Sequence, residues 1–263
     1  MADQVSGMSK GVVFVTGGTK NSGLATVRRF ASDGYDVVLT SRSQADADTV
    51  AAAVAAEFGV RAKGYEMQLT DLAAIRAVFE DVQAQFGRLD VLCLIAGHLA
   101  MGCTTLTTDE AVFREIVDTN ITGNFFCCQC AARIMEKAHS GSIVVLGSVH
   151  ALQAVCDRTV YSMTKGALLS MVKAMAIDLG MIGVRINYVS AGAIRTDRWD
   201  VYGEEWVKDR RERYPAGRES SVEDIANAIH YLGSDLGRSI TGTDFVVDSG
   251  ITCCLLPFKK PTV

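Results

Sequence analysis

Tyr161 and Lys165 stand four positions apart in the stretch YSMTK, among small and apolar residues. On a helix that spacing puts both side chains on one face. A free tyrosine titrates near pH 10, so ionising it at pH 7 costs about 4 kcal/mol. A neighbouring ammonium lowers that cost, and the phenol can then exchange a proton with a substrate oxygen near neutrality. YxxxK alone is short enough to arise by chance in many chains. Ser148 gives it context: it closes the run SIVVLGS, with twelve residues between it and Tyr161. A serine at the end of a strand can hold a carbonyl or alcohol oxygen beside the phenol.

Such a trio needs elements that bring it to one place. Short β-branched runs (VVFV, DVVLT, RAKGYEM, LDVLCLIA, SIVVLGS, VRINYVS, DFVVD) alternate with longer helical patterns along the chain. Strand and helix in alternation, with nearly unbroken apolar strands, mean a parallel sheet covered on both faces. The expected fold is α/β, a single Rossmann-type doubly wound domain over residues 1–263 with a seven-stranded parallel sheet flanked by helices. The punctuation agrees: Thr70 and Asp71 sit where a helix cap belongs, Gly34, Gly59 and Gly87 close helices, and Ser221 with Asp224 opens another. In such sheets ligands bind at the carboxyl ends of the strands, so the chemistry is expected just after strands.

Composition narrows the function classes. At 263 residues the chain can bury a sizeable core, and no linker, repeat or low-complexity tract divides it. A formal charge of -4 with acids and bases interspersed speaks against a nucleic-acid partner. Neither a secretion signal nor an apolar run long enough for a membrane span is present, so a cytoplasmic protein without membrane attachment is expected. The eight cysteines lie mainly in apolar segments such as FFCCQC and read as reduced core residues, and no ligand set completes a zinc site around Cys127 and Cys130. No metal is expected.

After the first strand comes TGGTKNSGLA (16–25), whose glycines let the backbone approach a pyrophosphate at a helix N-terminus. With Ser148, Tyr161 and Lys165, this turn makes the chain resemble the short-chain dehydrogenase/reductase family, from Val12 to about Gly250. In that family's TGxxxGxG turn, Thr16, Gly17 and Gly23 match, while Asn21 replaces the middle glycine; asparagine tolerates left-handed backbone angles. The resemblance implies cofactor contacts from Gly17, Thr19, Lys20, Asn21, Ser22, Gly23 and Leu24. It makes Ser148, Tyr161 and Lys165 the catalytic residues and matches Asn120, in DTNITG, to the asparagine that helps relay protons through water.

The second strand ends in Thr40, Ser41 and Arg42, with no carboxylate to grip a ribose diol. Lys20 and Arg42 would instead meet a 2'-phosphate, so NADP(H) is expected over NAD(H). The family's NNAG becomes LIAG, keeping Ala96 and Gly97, with Leu94 and Ile95 expected to substitute apolar packing for the asparagines. Gln68 and Leu69 stand where an aspartate and its neighbour would meet adenine. After the sixth strand Ala191 replaces proline, while Gly192, Ile194 and Thr196 are expected over the carboxamide.

The implied reaction is reversible hydride transfer between NADP(H) and a secondary alcohol or ketone of a small molecule such as a sugar, polyol or steroid. Substrate selection is expected in a lid segment at about 193–218. There Trp199, Tyr202 and Trp206 fall at spacings compatible with one helical face, either anchoring the lid or lining a pocket, and His150 is a further candidate substrate contact. Small residues Gly166, Ala167, Ser170 and Ala174, with the apolar tail ITCCLLPF (251–258), fit the homotetramer or homodimer the resemblance implies. A non-catalytic NADP-binding regulator is the alternative. Epimerases of the extended branch need more chain after Gly192, and enoyl reductases of related fold separate Tyr and Lys by six residues rather than three.

Overall fold

The protein is described by a computed structural model covering residues 9–254. Its elements run β1 (Val12–Thr16), α1 (Asn21–Ser32), β2 (Asp36–Ser41), α2 (Gln44–Phe58), β3 (Ala62–Glu66), α3 (Leu72–Phe86), β4 (Val91–Leu94), α4 (Glu110–Val117), α5 (Gly123–Met135), β5 (Gly141–Leu146), α6 (Thr159–Gly180), β6 (Val184–Ala191), α7 (Glu204–Glu212), α8 (Val222–Gly233) and β7 (Asp244–Val247). The seven strands form one sheet in the order β3-β2-β1-β4-β5-β6-β7, every pairing parallel. The winding reverses between β1 and β4, so the loops at their carboxyl ends diverge and leave a crevice.

Alternation along β1 explains why the sheet needs cover on both sides. Val12 and Phe14 enter one core cluster with Ile75 and Phe79 of α3, Cys127 and Ala131 of α5, and Leu168 and Val172 of α6. Phe14 meets Phe79 edge-on at 4.6 Å between ring centroids. Val13 and Val15 face the other way, into a cluster with Val27 and Phe30 of α1, Val54 of α2, and Ile225 and Ile229 of α8. Each buried aliphatic side chain contributes about 1.5–3 kcal/mol, so both clusters hold the strand register that positions the loops.

The expected punctuation is present. The Asp71 carboxylate accepts from the N–H groups of Ala73 and Ala74 at 3.0 and 2.9 Å and caps α3. Ser221 and Asp224 cap each other's backbone at the start of α8. Gly59 and Gly87 end α2 and α3 in the left-handed region, at φ 68° and 73°. Helical backbone runs on from α4 to α5 through a wider π-type turn, Asp118–Thr122. The Asn124 side-chain amide donates to the Asn120 carbonyl at 2.8 Å, satisfying an acceptor inside that turn.

The cysteines divide. Cys93, Cys103, Cys127, Cys128 and Cys130 are buried, and burial pushes the Cys128 thiol up to about 12. Cys156 and Cys253 are exposed, a correction to the reading of all eight as core. They lie on the loop before α6 and on the turn after β7. No helix among the described residues is long and apolar enough to cross a membrane. Of the tail ITCCLLPF, residues 255–258 lie outside the described residues.

Candidate active site

Beyond the ends of β4, β5 and β6 is a cavity of about 280 Å³, lined by Ser148, Tyr161 and Lys165 together with Gly97, His98, Gly192, Ile194, Thr196, Arg198 and Trp199. Ser148 follows β5 and starts a short 3-10 turn, its Oγ accepting from the His150 N–H at 3.2 Å. Tyr161 lies in the first turn of α6 and Lys165 one turn later. The ammonium sits 5.6 Å from the centre of the phenol ring and donates to the Leu146 carbonyl at 3.0 Å. Tyr161 and Lys165 are 9% and 7% exposed.

Tyr188, which the sequence reading missed, ties the trio together from below. Its hydroxyl accepts from the Ser148 N–H at 3.1 Å and donates to the Lys165 carbonyl at 3.1 Å. One buried side chain therefore fixes the end of β5 against α6. Burial raises its pKa, so this phenol keeps its proton. The ring fills the space over Gly147: a Cβ built there would lie 1.7 Å from Tyr188 Cζ. The signal in the sequence is the glycine immediately before Ser148, although nothing local says which side chain occupies the gap.

Asn120 is buried behind the cavity, inside the π-type turn. Its amide donates to the His98 carbonyl at 2.9 Å and to Thr164 Oγ1 at 3.1 Å, and accepts from the His98 N–H at 2.6 Å. It clamps the loop after β4 to α6. Thr164 in turn donates to the Tyr161 carbonyl at 2.9 Å. His150 packs edge-on to the Tyr161 ring at 5.7 Å between centroids. Burial, with the Arg158 charge, lowers its pKa and keeps the imidazole uncharged near neutrality.

The glycine-rich turn runs from β1 into α1 at the crevice. Asn21 takes φ 49°, the left-handed geometry expected of it. Gly23 is required sterically, since a Cβ there would come within 2.0 Å of the Gly17 carbonyl oxygen. Lys20 at the N-cap makes no side-chain cap, so the first N–H groups of α1 are presented as an anion-binding helix terminus. These features fit a dinucleotide pyrophosphate. Lys20 and Arg42 are exposed, and among the described residues no ion pair engages either. Gln68 is exposed beyond β3, and Leu69 is buried against Gly123. Thr16 Oγ1 accepts from the N–H groups of Ile95 and Ala96, at 2.9 and 3.1 Å. That support holds the LIAG loop where asparagines are missing, while Leu94 packs into the core.

The lid differs from its expectation. Trp199 ends a short 3-10 turn, and Gly203 precedes α7, so Trp199, Tyr202 and Trp206 do not share one continuous helix. They gather through the turn instead: Tyr202 stacks on Trp206 at 4.1 Å, and Trp199 meets Trp206 edge-on at 5.4 Å. Trp199 lines the cavity beside Tyr161. Tyr202 lies in a second, larger cavity of about 720 Å³ with Arg195, Lys208 and Tyr214. Among the described residues no cluster of His, Cys, Asp or Glu could hold a metal ion.

Comparison with known proteins matches residues 18–252 to a family model described as Enoyl-(Acyl carrier protein) reductase. The chain is 33% identical over 247 residues to 3-oxoacyl-(acyl-carrier-protein) reductase FabG of Aquifex aeolicus (strain VF5), covering 91% of this chain and 96% of the relative. It is 32% identical to a 3alpha-hydroxysteroid dehydrogenase of Mediterraneibacter gnavus, covering 90% of this chain and 95% of that one. Among solved structures, acetoin dehydrogenase YohF from Salmonella typhimurium superposes with a TM-score of 0.84 at 29% identity, covering 94% of this chain and 98% of that chain.

Proposed function

The chain belongs to the short-chain dehydrogenase/reductase family of oxidoreductases, and on that premise we propose that it interconverts a small-molecule ketone and secondary alcohol with NADP(H), NAD(H) serving less well. The observation that carries this reading is the one cavity in which Ser148, Tyr161 and Lys165 converge with Gly97, Gly192, Ile194 and Thr196. The Tyr161–Lys165 spacing of one helical turn speaks against taking over the matched model's description as an enoyl reductase.

In the direction of reduction, Ser148 Oγ donates a hydrogen bond to the substrate carbonyl oxygen and Tyr161 gives that oxygen its proton. Bound nicotinamide supplies the hydride. The Lys165 ammonium stabilises the phenolate left on Tyr161; one of its three N–H groups is spent on Leu146, which leaves two for a ribose hydroxyl or water. Asn120 holds the loop and helix that carry these groups in register. Gly17, Gly23 and the N-terminus of α1 would hold the pyrophosphate, with Thr19, Asn21, Ser22 and Leu24 along the same turn. Gln68 and Leu69 would meet the adenine, Ala96 and Gly97 the adjoining ribose, and Ile194 and Thr196 the carboxamide.

NADP(H) is favoured by Lys20 and Arg42 beside the neutral Thr40 and Ser41. A hydrogen bond to a charged group contributes about 1.5–3 kcal/mol, so a preference of about tenfold or more is expected. The same reading has the chain act as a homotetramer or homodimer in the cytoplasm. Its support is the small-residue face of α6, where a Cβ on Gly166 would meet open space.

Following absorbance at 340 nm with ketones and both reduced cofactors tests the proposal. Wild type should show kcat/KM about tenfold or more higher with NADPH than with NADH, and Tyr161→Phe should bind cofactor while losing about 10²-fold or more in kcat. Turnover by Tyr161→Phe above a few per cent of wild type would sink the acid role. A protein that binds NADPH yet reduces no carbonyl would favour the regulator.

A further inference from the structure

Resting on the oxidoreductase reading above, we propose that the substrate carries a carboxylate close to the reacting carbon, and that His98 and Arg198 receive it. Three observations lead there. The first is the lining of the cavity beside Tyr161. It contains Lys165, His98 and Arg198 and no acidic side chain. A carboxylate is an acceptor only and suits a lining whose charged side chains are all cationic, where no acidic group would repel it.

The second is the way His98 is built. Asn120 grips both main-chain polar groups of His98, accepting from its N–H and donating to its carbonyl. The Ala100 N–H donates to His98 Nδ1 at 2.9 Å. A nitrogen that accepts cannot also donate, so the ring N–H is on Nε2. Ala100 achieves this at φ 46°, fully buried, in a region that a residue with a Cβ rarely occupies. Such an outlier points to a constrained function, and here its effect is to fix one imidazole as a hydrogen-bond donor at the cavity.

The third is Arg198. The neighbouring arginines are engaged: Arg195 pairs with Asp200, Arg211 with Glu219, Arg213 with Asp209 and Arg218 with Asp224, and Arg210 lies over the rings of Trp199 and Trp206. Arg198 lines the cavity, and among the described residues no carboxylate or ring pairs with it. A guanidinium with an open fork matches a carboxylate through two parallel hydrogen bonds. His98 follows β4 and Arg198 follows β6, so the two reach the cavity from the loops on either side of β5.

The reaction is then reduction of a keto acid to a hydroxy acid. The carbonyl π bond gives way to one C–H and one O–H bond. Both electrons arrive with the hydride from the reduced nicotinamide, the proton comes from Tyr161, and the carboxylate makes and breaks no bond.

The test uses short 2-oxo and 3-oxo acids, each paired with its methyl ester, and NADPH. In wild type, kcat/KM for the acids should exceed that for the esters by about tenfold or more. Arg198→Ala and His98→Leu should each collapse that ratio, the loss falling on KM for the acid. Arg198→Lys and His98→Gln, which keep a charge or a donor, should restore part of it. Esters reduced as well as the acids would overturn the carboxylate proposal and leave the oxidoreductase reading standing, as would an acid preference that survives Arg198→Ala. If no carbonyl compound is reduced by protein that binds NADPH, the oxidoreductase reading fails and this proposal goes with it.

Discussion

The floor of the cavity and the segment that overhangs it are held by different forces. The floor is fixed by buried hydrogen bonds: Tyr188 between Ser148 and Lys165, Lys165 to Leu146, and Asn120 between His98 and Thr164. The overhang, residues 195–219, is held mainly by ion pairs open to solvent, such as Arg195–Asp200 and Arg213–Asp209, and by the stack of Trp199, Tyr202, Trp206 and Arg210, with one pair, Arg211–Glu219, whose carboxylate is buried. Exposed pairs are each worth about 0–1 kcal/mol, whereas stranding one partner of a buried hydrogen bond costs about 1–3 kcal/mol. Proton transfer demands groups held to a fraction of an ångström, and the buried network supplies that. Substrate choice tolerates an adjustable surface.

That contrast can be attacked at both ends. The largest effect is expected at Gly147. An added methyl would have to displace the Tyr188 ring, so Gly147→Ala should lose about 3 kcal/mol in urea unfolding and most of its turnover. Tyr188→Phe keeps the packing but strands the Ser148 N–H and removes the second bond to the Lys165 carbonyl, which stays paired within α6; about 1–2 kcal/mol of stability should go, with kcat falling more than the KM for cofactor. Equal damage from Trp206→Ala, which sits in the overhang, would erase the distinction drawn here. It should cost about 1 kcal/mol and appear chiefly in the KM for substrate.

The smallest effect is one of pH. Hydrogen bonds from Arg211 hold the Glu219 carboxyl below its usual range. A carboxyl whose folded-state pKa is depressed stabilises the protein above its unfolded value, near 4.5, and that contribution is lost as the pH falls through the folded-state value. Arg211→Met should therefore lower Tm slightly at pH 7 and flatten the acid limb of a Tm-against-pH curve, the gap to wild type closing as the pH falls below about 4.5.

Much of the fold was legible because its signals are local. The apolar runs became strands, Asp71 became a cap, Gly59 and Gly87 took left-handed angles, and Asn21 did the same in place of a glycine. The π-type turn at 118–122 was not legible: the hydrophobic period runs through it, and the Asn124 amide on the Asn120 carbonyl marks its place. Tyr202 was misplaced for a related reason, since its spacing from Trp199 and Trp206 suits a helix that Gly203 interrupts. His98 and Tyr188 escaped notice because neither carries a motif. Each acts through partners distant in sequence, Asn120 for one and Ser148 for the other.

The sequence by itself determined the alternation of strand and helix, the phosphate-ready turn after β1, and the Tyr161–Lys165 pair one helical turn apart, because period and spacing act over a few residues. Which loops meet at the cavity was decided only by the tertiary structure. The order β1-β4-β5-β6 brings Ser148, Tyr161, His98 and Arg198 around one space from four separate parts of the chain. That order follows from burying both faces of a parallel sheet at once, a condition set by all the strands and helices together.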